Sequence, residues 1–260
     1  MRASRSRVVS SFTIVKGALI EETYAVFQHW DFARSCTDNL RRMQETNLIG
    51  ATSAQWAREV AKALHRRFDP ERRDRPLVEL AKGCARAVWT PLLLWHMTRD
   101  EFLVRDFLLH WLYPQYVQGS YRLHTADVVP YLHSLSQHKG ITWSGKWTAA
   151  TTARVASGLL RLAADVGLLT GTGAREFASY HLPEASLLYL LHAMVEVEPN
   201  ARRLMDAEDW HMYLMDATDV ECELLRLHQF RKVHYEVAGS LVQLTLPCDS
   251  PAEYARELVA

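Results

Sequence analysis

The sequence predicts a mainly α protein: an N-terminal helical domain followed by winged helix-turn-helix-like domains with short β-hairpin wings. Three observations predict it. Apolar residues recur at helical spacing along most of the chain, while period-two alternation is confined to short runs beside glycine turns. Helix, short connection, long helix, glycine and hairpin succeed one another between residues 123 and 183. Hydrophobic residues are 48% and charged residues 23% of 260, which suffices for a core and excludes wholesale disorder.

Residues 1–122 read as the helical domain. Leu19, Thr23, Val26 and Trp30 form one stripe of an amphipathic helix. A polar segment follows, then a helix over Ser53 to Phe68. Its Trp56, Val60, Leu64 and Phe68 share one face, with Arg58, Lys62, His65 and Arg66 opposite. Asp69 to Pro76, with two prolines and six charges, reads as a solvated loop. Pro76 suits the first turn of a helix running towards Trp89, and Pro91 is expected to interrupt or kink the chain beyond it. Asp100 opens a further helix that carries Phe102, Phe107 and Trp111 and ends before Pro114.

Residues 123–183 read as the winged-helix-like domain. A helix over Thr125 to Ser136 is closed by Lys139 and Gly140. Ile141 to Trp147 leads into a long helix over Thr148 to Val166, which Gly167 stops. Leu168 to Thr170, the Gly171-Thr172-Gly173 turn, and Phe177 to Leu182 then form a hairpin. In residues 184–260, Pro183 and Glu184 open an apolar helix with Leu187, Leu191, Met194 and Val195 on one side. Thr218 and Glu221 have capping-box spacing before a helix reaching Phe230. Val233, Tyr235 and Val237 alternate, Ala238-Gly239-Ser240 turns, and Val242, Leu244 and Leu246 alternate back to Pro247, loosely repeating the helix-then-wing order.

Lys plus Arg and Asp plus Glu are 30 each, so the net charge is zero, but the average hides a division. Residues 1–175 hold 24 basic and 15 acidic side chains, residues 176–260 hold 6 and 15. The charge-free stretch Ala87–Thr98 is 12 residues long and contains Pro91, short of the roughly 18 a bilayer helix needs. The basic amino terminus lacks a following apolar run, so no secretory signal is expected. Four cysteines far apart form no paired motif, and a cytoplasmic protein with reduced thiols is expected.

Catalytic patterns are missing. Gly171-Thr172-Gly173 lacks the third glycine of a dinucleotide fingerprint and follows a helix. No phosphate loop, Gly-x-Ser-x-Gly elbow or His-Glu-x-x-His occurs. Asp206, Glu208, Asp209, Asp216, Asp219, Glu221 and Glu223 could in principle hold a hard cation. Their placement in helices and caps favours a solvated acidic face, or one that docks a basic partner. No enzyme, cofactor or metal is expected.

The long helix carries more. Val155, Leu159, Leu162 and Val166 face one side; Ala150, Ala153, Arg154, Ser157, Arg161 and Ala164 face the other. Arg154 and Arg161 are seven apart and align, and small neighbours would let the helix approach a phosphate backbone closely. Lys146 and Thr148 stand at its amino end, where main-chain N–H groups favour phosphate. Arg175 lies beside the hairpin turn. Val128 to Arg175 holds five basic residues and one acid, which suits duplex DNA. The alternative stays open: winged helices also serve as protein–protein modules, small residues also suit helix packing, and Ile141–Trp147 is short for a middle helix. A second basic patch, Arg58, Lys62, Arg66, Arg67, Arg72 and Arg73, is more readily a solvated helix and loop.

Three segments carry a resemblance: SFTIVKGALIEETYAVFQHW (Ser11–Trp30), NLIGATSAQWAREV (Asn47–Val60) and TTARVASGLLRLAADVGLLTG (Thr151–Gly171). The chain resembles the BrxA family of BREX bacteriophage-defence systems. The resemblance implies a small, mostly helical cytoplasmic accessory protein, first likened to the antitermination factor NusB and hence to RNA binders, and associated also with double-stranded DNA. It implies partner subunits that include a methyltransferase, a large ATPase and a phosphatase-like protein. The family has no motif-defined site, so the residues named above rest on charge and helix geometry alone. Assembly with copies of itself is a further expectation.

Overall fold

The computed structural model describes residues 7–11, 17–135, 137, 140–143, 145–239 and 241–260. Strand β1 (Val8–Val9) precedes helix α1 (Ile20–Gln28), which buries Thr23, Val26 and Phe27 and carries Glu21 and Glu22 in its first turn, where the helix dipole favours anions. Helix α2 (Cys36–Glu45) occupies the polar segment that the sequence leaves unassigned; Ser35 caps it by accepting from the Asp38 N–H, and it buries only Asn39, Leu40 and Met43. Helix α3 (Ala54–Arg67) forms where the helix over Ser53 to Phe68 is predicted, is capped by Ser53, and buries Val60 and Leu64.

Where one helix is predicted up to Trp89, two form: α4 (Arg75–Ala81), opening with Pro76, and α5 (Arg86–Met97). Gly83 lies between them. Pro91 does not end α5; the ring removes one N–H donor, but a helix buried from Leu92 to Met97 is held by packing. Helix α6 (Phe102–Phe107) passes through a π-helical segment, Leu108–Leu112, into α7 (Tyr113–Val117), past the predicted stop at Pro114. The Tyr113 N–H reaches back to the Leu108 carbonyl, so a wider turn precedes the proline and seats it in a first turn, where its missing donor costs little.

Helix α8 (Thr125–Leu135) packs against α9 (Ala149–Asp165), and between them β2 (Thr142–Trp143) pairs in parallel with β1. The hairpin consists of β3 (Leu169–Thr170) and β4 (Glu176–Phe177), antiparallel; of the second strand expected over Phe177 to Leu182 only Phe177 pairs, residues 178–182 forming no strand, and Leu123 bridges to Arg175 beside it. Helix α10 (Glu184–Val195) is buried all round from Ser186 to Met194. Then follow α11 (Ala201–Met205), a 3-10 turn (Glu208–Tyr213) and α12 (Ala217–Gln229). The capping box of α12 is Asp216 with Asp219, two residues before the predicted Thr218 and Glu221. The second hairpin, β5 (His234–Ala238) with β6 (Leu241–Thr245), forms as predicted. A helix with no counterpart in the sequence reading, α13 (Pro251–Val259), packs on α4 and α10. Ser136, Lys139, Ser144 and Ser240, expected at a helix end, in a connection and in a turn, lie outside the described residues.

One apolar cluster extends from Val9 to Ala255. At its centre Phe27 meets Phe68 and Trp89 edge-on, with centroids 5.5 and 6.3 Å apart. No helix among the described residues is long and apolar enough to cross a membrane.

Candidate nucleic-acid interface

Helix α9 forms because Thr148 caps it, its hydroxyl accepting from the Thr151 N–H at 3.2 Å, and because Gly167 ends it at φ 86°. Its apolar stripe decides the orientation. Val155, Leu159 and Leu162 are fully buried, which turns Ala150, Ala153, Arg154, Ser157 and Arg161 to solvent. The predicted face is therefore exposed except at Ala164, which is partly buried against the core. Arg154 has no ion pair or hydrogen bond among the described residues. Arg161 is 69% exposed and stands 4.0 Å from the Asp165 carboxylate. Burial raises the Asp165 carboxyl above its usual range, against the Ala18 N–H, Arg161 and Arg175, which favour its charge.

Lys146 is exposed ahead of the helix, and the Thr148 hydroxyl is occupied by its cap. Arg175 differs from expectation in detail. Its main chain exchanges hydrogen bonds with Leu123, at 2.8 and 2.9 Å, and its half-buried guanidinium donates to the Gly171 carbonyl, tying the turn together. Position 171 must be glycine, because φ is 87° and an added Cβ would lie 2.5 Å from the Ala174 oxygen. Lys146, Arg154, Ser157 and Arg161 thus remain presented to solvent, with Arg175 behind them.

The second basic patch divides. Arg58 and Lys62 are exposed on α3, and Arg72 is exposed in the loop. Arg66 lies 3.9 Å from Glu101 and donates to the Ser10 hydroxyl. Arg73 is ion-paired with Asp100 and Asp74. Arg67 does not belong to any surface. It is fully buried, donating to the carbonyls of Gly17 (2.8 Å) and Ala18 (3.1 Å), with Glu101 3.8 Å from its Nε.

The loop read as solvated hides a second buried group. Asp74 is fully buried; its carboxylate accepts from the Asp69 N–H at 2.7 Å and lies 2.6 Å from His96 Nδ1, while His96 Nε2 lies 2.8 Å from the Tyr189 hydroxyl. With Asp74 charged, His96 donates through Nδ1 and accepts from Tyr189. Burial pulls His96 below its ordinary value, against its bond to Asp74. Burial would raise Asp74, but the His96 bond and the Arg73 charge hold it lower. All three side chains are sealed from solvent, so the chain of bonds joins α10 to α4 and α5 and presents no group to a substrate.

The acidic cluster is mostly engaged. Asp209 pairs with Arg105 at 3.0 Å, Asp216 and Asp219 cap α12, Glu221 accepts from the Tyr235 hydroxyl, and Glu223 pairs with Arg226. Among the described residues no three His, Cys, Asp or Glu side chains gather to hold a metal ion.

The family model BrxA matches residues 10–193, which takes in α9, its hairpin and most of α10. Comparison with curated proteins returns no match.

Proposed function

The chain belongs to the BrxA family, and from that premise we propose that this BREX phage-defence accessory protein works without catalysis by binding double-stranded DNA through the outer face of α9. The observation that carries the reading is the exposed, unpaired Arg154 in line with Arg161 on a helix whose other side is sealed in the core. Order and pairing support a winged helix: α8 and α9 are followed by a hairpin, and the Leu123–Arg175 bridge gives the third-strand contact such a module uses. Contacts go to phosphates, through Lys146, Arg154 and Arg161, with Ser157 between them and Arg175 bracing the turn. Sequence preference is accordingly weak. The setting is the cytoplasm, beside other BREX subunits, with the acidic C-terminal region turned towards a protein partner or another copy.

A protein-docking role for the same module is favoured by one feature, the two-residue strands of its hairpin, which make a short wing. Fluorescence anisotropy with two labelled duplexes of unrelated sequence separates the readings. Both should bind with similar affinity and should resist competition by single-stranded RNA. No binding to either duplex, with the chain still capturing other defence subunits, replaces the DNA reading with the scaffold. Displacement by RNA replaces it with RNA binding.

A further inference from the structure

Between the base of the first hairpin and α12 runs a cleft of about 240 Å³ that the DNA reading leaves unused. Tyr116, Tyr180, His181, Asp219, Cys222 and Glu223 line it. Two of these are aromatic walls and two are carboxylates, the lining that holds a cation on a short apolar stem. Each carboxylate has capacity left. Asp219 accepts the Asp216 N–H through Oδ2, at 2.9 Å, and Glu223 takes Arg226 through Oε2 alone, at 2.7 and 2.9 Å. Asp219 Oδ1 and Glu223 Oε1 accept no hydrogen bond among the described residues. Tyr180 is half-buried, and burial raises its hydroxyl above the usual tyrosine range.

The rim adds a second, independent feature. Tyr116 is 43% exposed, and the chain beyond it carries Val117 at 66% and Tyr121 at 72%. Large apolar side chains this exposed, beside a charged cleft, mark a surface for a protein rather than for water. The charge says which kind. Residues 176–260 hold 15 acids against 6 bases, and the chain's own Arg226 already sits between Glu223 and Glu184, at 2.7 and 2.9 Å. The neighbourhood accepts guanidinium.

We propose that this cleft docks a partner protein through an arginine or lysine flanked by apolar residues, the cation entering between Tyr116 and Tyr180 to reach Asp219 and Glu223, and the apolar neighbours covering Val117 and Tyr121. The site shares no residue with the Arg154–Arg161 face, and it rests on the reading that the acidic C-terminal region is turned towards a protein partner.

Cys222 is an exposed free thiol in the cleft wall and reports occupancy directly, with the half-buried Cys36, far off in α2, as internal control. The full chain is alkylated with iodoacetamide, and both sites are followed by peptide mass spectrometry while acetyl-Leu-Arg-Leu-Arg-Leu-amide is titrated in. The basic peptide should slow labelling of Cys222 about tenfold at about nine times its Kd, leaving Cys36 unchanged. Glu223→Gln, at a part-exposed pair, should weaken this protection about three- to tenfold. Three outcomes would overturn the proposal: labelling unaffected by the peptide, equal protection by acetyl-Leu-Glu-Leu-Glu-Leu-amide, or protection produced merely by raising the protein concentration, which would make the occupant a second copy.

Discussion

Replacing Arg67 by Met keeps most of the stem's volume and removes only the guanidinium. Three groups then each lose one contact at once. The Gly17 and Ala18 carbonyls lose charged donors at 2.8 and 3.1 Å, and Glu101, 4% exposed, loses the cation 3.8 Å away. Arg66, at 3.9 Å and 41% exposed, can compensate Glu101 only in part. Removing one member of a buried ionic group costs about 3–5 kcal/mol, because the survivor stays buried with less of its charge compensated. In a chain near this size each kcal/mol moves Tm by about 2–4 °C, so the midpoint should fall by about 6–20 °C. Thermal unfolding followed by circular dichroism measures it, with Arg58→Met as the control. Arg58 is exposed on the same helix and should cost no more than about 0.5 kcal/mol. If Arg67→Met cost as little as the control, Arg67 would not be sealed between α3 and the Gly17–Ala18 segment.

Acidification offers a separate check on the Asp74–His96–Tyr189 chain. Burial depresses His96, so below about pH 6.5 the unfolded chain takes up a proton that the folded one refuses, and stability falls by up to about 1.4 kcal/mol per pH unit. The depressed Asp74 adds its own loss only at lower pH, as the pH falls through its folded value. Urea unfolding at pH 7.5 and 5.5 should show a smaller acid loss in His96→Asn than in the natural chain; equal losses would rule His96 out as a source. At Gly83, an added methyl would lie 2.7 Å from the Val259 Cβ, so Gly83→Ala should cost about 1–3 kcal/mol and loosen α13. Hydrogen exchange across residues 251–259 reads this, and unchanged protection there would refute the close approach.

Elements with both a stripe and a punctuation mark were legible: α3 behind Ser53, α9 between Thr148 and Gly167, α10 behind Pro183, and both hairpins. Helix α2 was not, because its three buried residues are too few for periodicity to stand out from a polar background. One proline misled. Local chemistry marks Pro114 as a stop, which the π segment ahead of α7 overrides, and the interruption or kink expected at Pro91 does not end the buried α5. Arg67 carried a signal that its charge obscured: it stands seven residues after Val60 and three after Leu64, on the apolar stripe. Asp74 carried none, since its partners His96 and Tyr189 lie in other helices and only the fold brings them together. The exposed face of α9 was readable because one helix supplies all of it.

Phosphate neutralisation by that face has a direct signature in salt dependence. The slope of log Kobs against log salt counts such contacts, at about 0.9 for each phosphate on duplex DNA. Relative to the natural chain, the Arg154→Ala, Arg161→Ala double variant should bind more weakly with a slope shallower by about 1.8, and with Tm unchanged because both side chains are exposed. Identical slopes and affinities for the two proteins would contradict it.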